Sequence, residues 1–104
     1  MINHIVLFKF KESLSLQDID HLFTQIRKLS EFFPGIQNFS WGPNNSSYGL
    51  NRGFEYALFL QFDSEETRKQ YGAHPLNEEI SEKIVRPALE NGLESSLVVD
   101  FETV

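Results

Sequence analysis

Apolar positions along the chain fall into blocks whose spacing alternates between two and about 3.6 residues. His4 to Lys11 is the first block. Its even positions carry His4, Val6, Phe8 and Phe10, and its odd positions carry Ile5 and Leu7 ahead of Lys9 and Lys11. Both faces begin apolar, so the pattern predicts a strand covered on both sides for part of its length. Leu16, Ile19, Leu22, Phe23, Ile26 and Leu29 then recur at helical spacing, with Asp18, Asp20, Gln25, Arg27 and Lys28 between them. This predicts an amphipathic helix of about four turns. Ser15 caps it with Asp18 three residues on, and Pro34-Gly35 ends the region.

Ile36 to Trp41 predicts a second strand, with Gln37, Phe39 and Trp41 on one face and Ile36, Asn38 and Ser40 on the other. Gly42 to Gly53 is rich in Gly, Asn and Ser and has no period, so it reads as a long loop. Phe54 to Phe62 is the clearest strand. Phe54, Tyr56, Leu58, Leu60 and Phe62 lie on one side, and Glu55, Ala57, Phe59 and Gln61 on the other. Ser64 with Glu65 and Glu66 opens a short helix reaching Tyr71, and His74-Pro75 breaks it. A third helix is expected from around Asn77, with Asn77 as its cap. Its apolar side holds Ile80, Ile84, Val85, Ala88 and Leu89; Pro87 kinks it and Gly92 ends it. Ser96 to Phe101 is the last strand, with Leu97, Val99 and Phe101 on one face and Val98 and Asp100 on the other.

The order β-α-β-β-α-α-β is the split, ferredoxin-like pattern of an α+β domain, a four-stranded antiparallel sheet with helices on one face only. The other face carries large apolar groups where water would otherwise lie. A second copy of the chain is the expected cover, in a homodimer whose facing sheets close an α/β barrel. Residues 1–104 read as one domain.

Composition narrows the function. The 104 residues carry 9 Lys+Arg against 15 Asp+Glu, a formal charge of −6. Nucleic acid and anionic membrane surfaces are therefore poor partners. Cysteine is absent, which removes disulfides, thiolate metal sites and a thiol nucleophile. The three histidines show no metal-ligand spacing, the glycines form no nucleotide-binding loop, and no pair of acids is singled out for glycoside hydrolysis. No cofactor is expected. The N-terminus lacks the long apolar stretch and small-residue site of a secretory signal, so a cytoplasmic protein is expected. Phenylalanine, at 10 residues, is abundant, and most of the rings fall on strands.

The stretch from His4 to Lys11, Pro34-Gly35-Ile36, Trp41-Gly42, Phe62 with Ser64-Glu65-Glu66, Tyr71 with His74-Pro75, and Val98-Val99-Asp100-Phe101 together resemble the stress-responsive dimeric α/β-barrel (Dabb) family. The resemblance runs through nearly the whole chain. It implies a two-fold dimer with a small pocket between sheet and helices in each subunit. Polyketide-cyclase members use a tyrosine and the second histidine of an HPxH motif, and those places are Tyr71 and Asn77 here. A carboxamide cannot serve as the base that imidazole supplies. By the same resemblance, His4, Phe23, Tyr56 and Leu58 line the pocket.

Each candidate also has a plain structural role. His4 either pairs with Tyr71 or substrate in the pocket, or bonds to backbone. Tyr71 orients a carbonyl or water, or is a packed core ring. His74 and Asn77 either contact a ligand or serve helix entry. Tyr48 and Arg52 in the long loop either gate a pocket mouth or reach across the dimer. The leading reading is a homodimer that binds a small apolar or aromatic molecule. The alternative is an enzyme, polyketide cyclase-like or like the cofactor-free monooxygenases of this architecture, that uses Tyr71 and His4.

Overall fold

Alternating apolar positions build four strands, and the 3.6-residue blocks between them build the helices that cover one side. The computed structural model describes residues 1–103. In chain order the elements are β1 (Ile2–Phe8), α1 (Leu16–Ser30), β2 (Ile36–Pro43), β3 (Tyr56–Phe62), α2 (Glu65–Ala73), α3 (Pro75–Ile80) and β4 (Ser96–Glu102). After α3 the chain continues through a π-helical stretch, Ser81–Val85, and a last turn, Arg86–Ala88. The sheet is antiparallel, in the order β2-β3-β1-β4. This is the ferredoxin-like α+β fold.

The core lies between the sheet's inner face and α1. Val6, Phe8, Leu58, Leu60 and Phe62 pack against Ile19, Leu22, Phe23 and Ile26, with Ala88 and Leu89 closing one side. Phe23 and Leu60 are completely buried. Ser15 and Asp18 form the expected reciprocal cap: the Ser15 hydroxyl accepts from the Asp18 N–H at 3.1 Å, and the Asp18 carboxylate accepts from the Ser15 N–H at 2.9 Å. That backbone N–H, then the Ser15 side chain, hold the Asp18 carboxyl below its ordinary value. Leu16, counted above with the apolar face, stays exposed, and the buried stripe starts at Ile19.

Several local expectations are corrected. The first strand runs from Ile2 to Phe8 rather than from His4 to Lys11. Past Phe8 the chain turns to a new partner, the segment Ala88–Glu90: Glu90 N–H donates to the Lys9 carbonyl, Lys11 N–H donates to the Ala88 carbonyl, and Phe10 makes a single bridge to Leu89. The second strand contains a bulge between Gln37 and Ser40, with Asn38 at φ 57°. The extra residue lets Ile36, Phe39 and Trp41 all pack on the core, whereas strict alternation puts Ile36 opposite the other two. The third helix begins at Pro75, and its cap is His74, whose ring Nδ1 accepts from the Leu76 N–H at 3.1 Å. Asn77 therefore sits inside the first turn and is not the cap. Pro87 lacks an N–H, and the helix widens ahead of it: Arg86 N–H bonds back to the Ser81 carbonyl, five residues away.

The outer face is apolar along its middle. Ile5, Leu7 and Phe59 are half-buried, while Leu97, Val99 and Phe101 are 40%, 47% and 50% exposed. Among the described residues no helix is long and apolar enough to cross a membrane.

Candidate functional site

α1, α2 and α3 with its π-helical continuation do not close fully on the inner sheet face. They leave a cavity of about 350 Å³. Its walls are mostly apolar, with Val6, Phe8, Leu58 and Phe62 from the sheet and Ile80, Val85 and Leu89 from the helices. The polar groups that reach it include His4, Arg68, Tyr71, Asn77, Ser81 and Asp100. Leu93 and Val98, also on the wall, are 66% and 58% exposed, which places an opening along the β4 edge.

Strand pairing sets His4 of β1 directly opposite Asp100 of β4. His4 Nδ1 lies 2.6 Å from Asp100 Oδ1. A carboxylate only accepts, so the proton of this contact sits on Nδ1, and whenever the ring is neutral its lone pair is on Nε2. The other Asp100 oxygen accepts from Arg68 Nη1 at 3.3 Å, and Arg68 also pairs with Glu65. The Glu65 carboxylate first, and Asp100 behind it, push the Arg68 guanidinium further up. A chain of alternating charge thus runs from α2 across the edge of the sheet to the imidazole in the cavity wall.

Tyr71 sits near the end of α2, its ring 5.5 Å from Phe62 and 5.6 Å from Phe33. Burial pushes its phenol up to about 12, so it is neutral at physiological pH and available as a donor. Among the described residues no hydrogen bond engages its hydroxyl. Asn77 also reaches the cavity, but its side chain is occupied. Nδ2 donates to the Tyr71 carbonyl at 2.8 Å, and Oδ1 accepts from the Ser81 hydroxyl at 3.3 Å. It ties the α2–α3 junction together and offers no base.

The structure thus brings His4, Leu58, Tyr71 and Asn77 to one cavity and sets the other three candidates apart. Phe23 is stacked on Trp41 at 4.3 Å with the ring planes 9° apart, and it meets Phe8 edge-on. Tyr56 belongs to the same cluster, 5.5 Å from Phe10. His74 spends Nδ1 on its cap and lies 5.5 Å from Phe33. Asp100 and Arg68 were not singled out from the sequence. Pairing the first strand with the last in register was the signal that points to Asp100. Among the described residues no group of three His, Cys, Asp or Glu side chains could hold a metal ion.

The chain and its fold have relatives. The chain is 26% identical over 101 residues to the stress-response A/B barrel domain-containing protein HS1 of Arabidopsis thaliana, covering 97% of this chain and 88% of that protein. It is 23% identical over 74 residues to olivetolic acid cyclase of Cannabis sativa, covering 71% and 73%. A dimeric ferredoxin-like protein of unknown function from Jannaschia superposes with a TM-score of 0.87 at 22% identity, with 98% of each chain covered. The family model of the stress responsive A/B barrel domain matches residues 2–103, nearly end to end, and the chain belongs to that family.

Proposed function

We propose that this chain acts as a cytoplasmic homodimer in which each protomer holds a small apolar or aromatic molecule in the cavity between sheet and helices. The observation that carries this reading is the cavity itself: about 350 Å³, mainly apolar, with a few converging polar groups. His4, Tyr71, Leu58 and Asn77 are its contact residues. Phe23 and Tyr56 support the sheet beneath it, and His74 fixes the start of the helix that forms its wall. The apolar outer face and the dimeric structural relative support the two-copy state. The test is titration with 1-naphthol followed by NMR. Saturable shifts at Val6, Leu58 and Val85, lost in a Val85→Trp variant that fills the cavity, are expected. Shifts confined to the outer face would overturn the reading.

The His4–Asp100 contact supports a second reading, acid–base chemistry in the same cavity. An imidazole held by a carboxylate can take a proton from carbon next to a carbonyl, while the Tyr71 hydroxyl donates to the carbonyl oxygen. This is the step a polyketide cyclase-like enzyme needs. A monooxygenase-like reaction without a cofactor also begins with a deprotonated substrate. Exchange of the acetophenone methyl protons in D₂O tests it: acceleration by the protein, abolished by His4→Gln, is expected. Exchange at the buffer rate leaves binding alone.

A further inference from the structure

Glu65, Arg68 and Tyr71 follow one another at intervals of three along α2, so they form one row on a single side of the helix. Tyr71 stands at the cavity end of that row. Glu65 stands at the other end, directly after the Ser64 cap, where the helix dipole favours an acid. Arg68 lies between them and divides its guanidinium: Nη2 bonds to Glu65, and Nη1 reaches Asp100 Oδ2 at 3.3 Å. No residue of α2 is fully buried, and among the described residues Arg68–Asp100 is the one ion pair that joins a helix to the sheet.

Side-chain exposure rises outward from the cavity, from 17% for His4 through 26% for Asp100 and 36% for Arg68 to 54% for Glu65. Water screens the exposed end, so charge acts most strongly at the His4 end. A carboxylate held 2.6 Å from Nδ1 and facing nothing else favours the imidazolium, which has no lone pair with which to take a proton. Arg68 on the second oxygen of Asp100 offsets part of that negative charge. The carboxylate then still orients the Nδ1 proton, but it attracts a second proton to the ring less. Glu65 competes for the same guanidinium and limits the offset.

The remaining neighbours of the ring leave this row in charge. From β3, His4 meets the apolar ring of Phe62 at 5.5 Å. From α2, Tyr71 brings a neutral phenol. The other charged groups on the cavity wall are Glu82 and Arg86, which pair with each other at 3.1 Å and so largely cancel. What sets the charge felt by His4 is therefore Asp100 and the cation behind it.

We infer that Arg68 is a positioning residue that acts on His4 through Asp100: by sharing the carboxylate it favours the neutral imidazole with Nε2 open to the cavity, and Glu65 sets how much of the guanidinium Asp100 receives. This rests on the acid–base reading above, which makes His4 the base, and adds the device that tunes it. The test is NMR titration of the His4 ring, its signals identified by their loss in His4→Gln. Arg68→Met is expected to move the midpoint of His4 protonation up by about half a pH unit or more. Arg68→Lys, which keeps the charge, recovers most of that shift. Glu65→Gln is expected to move the midpoint down, by less, because its carboxylate is the most exposed of the row. A midpoint that stays put in Arg68→Met, or that moves the same way in both charge-removing variants, would overturn the inference and leave Arg68 as a tie between α2 and β4. Should Arg68→Met lose helical circular dichroism, Glu65→Gln decides alone: a lowered midpoint supports the inference, and an unchanged or raised one overturns it. Acetophenone exchange reports separately on the reading beneath. A titration that moves as stated beside exchange at the buffer rate removes the chemistry and keeps the tuning. Exchange abolished by His4→Gln beside an unmoved titration removes the tuning and keeps the chemistry.

Discussion

Replacing Tyr71 with Phe removes one hydroxyl from the cavity wall and with it an alkaline weakness of the fold. Burial pushes the Tyr71 phenol up to about 12, against about 10 for a free tyrosine. The folded chain therefore holds this proton more tightly than the unfolded chain does. The associated stability is complete below about pH 10 and is lost as the pH climbs through about 12. Linkage gives a loss of about 0.4 kcal/mol at pH 10, about 1.4 kcal/mol at pH 11 and up to about 2.7 kcal/mol beyond pH 12. The informative quantity is the difference between wild type and Tyr71→Phe, in which contributions common to both chains cancel. Urea unfolding from about pH 8 to about pH 11 measures it, and the variant is expected to gain about 1.4 kcal/mol on wild type across that span. Absorbance titration near the phenolate band is a parallel check, because the latest of the three tyrosine transitions should vanish in the variant. A difference that does not change with pH, or three phenols titrating together near 10, would falsify the assignment of Tyr71 to a water-poor cavity. The result bears on chemistry as well, since a phenol this hard to ionise donates a hydrogen bond at neutral pH and does not act as a base.

Three further outcomes follow from named contacts. Gly35→Ala sets a Cβ 2.4 Å from Asp63 Oδ1 and 2.5 Å from Thr67 Oγ1, which are themselves bonded at 2.6 Å. It is expected to cost about 1–3 kcal/mol and to lower Tm by roughly 5 °C or more in a thermal melt, where an unchanged Tm would mean the β3–α2 junction yields freely. Phe23→Ala removes the ring stacked on Trp41 and is expected to cost about 3–5 kcal/mol in urea unfolding and to shift Trp41 emission to the red; unmoved emission would show that the stack does not shield the indole. Asp100→Ala takes away the acceptor of His4 Nδ1, so ¹⁵N signals that report the Nδ1–H tautomer in wild type should show a mixture in the variant; the same tautomer in both would remove Asp100 as its orienter.

Strands and helices were legible because burial writes a period into the chain. Tyr56 to Phe62 and the Ile19 to Leu29 stripe needed nothing beyond it, although the strand expected from Phe54 starts two residues later, at Tyr56. What escaped were features in which one residue departs from the period or is matched by a partner far away. At Asn38, a single residue in the left-handed region shifts the alternation by one, and the composition of β2 gives no count of residues per partner. At His74, a ring nitrogen replaces the hydroxyl or carboxamide expected at a helix start, so the favoured capping residue, Asn77, drew the cap three residues too late. Asp100 is an ordinary strand-end acid until β4 is placed beside β1, ninety-six residues from His4.

Any proton transfer in the cavity would depend on which side chain still has an unoccupied lone pair. Both ends of the Asn77 carboxamide bind within the protein, to the Tyr71 carbonyl and the Ser81 hydroxyl. The Tyr71 phenol is held neutral by burial. Arg68 has no lone pair to offer, and Asp100 is engaged by both His4 and Arg68. The Nε2 atom of His4 is left as the basic site that the arrangement keeps open on the sheet side. If this chain does chemistry, the proton must go to the first strand and not to the helix junction. The substrate would then lie with its acidic carbon toward the sheet and its carbonyl toward Tyr71. A ligand that is only bound meets the same pair as one acceptor and one donor set in an apolar wall, a combination that selects neutral molecules carrying a hydroxyl or carbonyl over plain hydrocarbons.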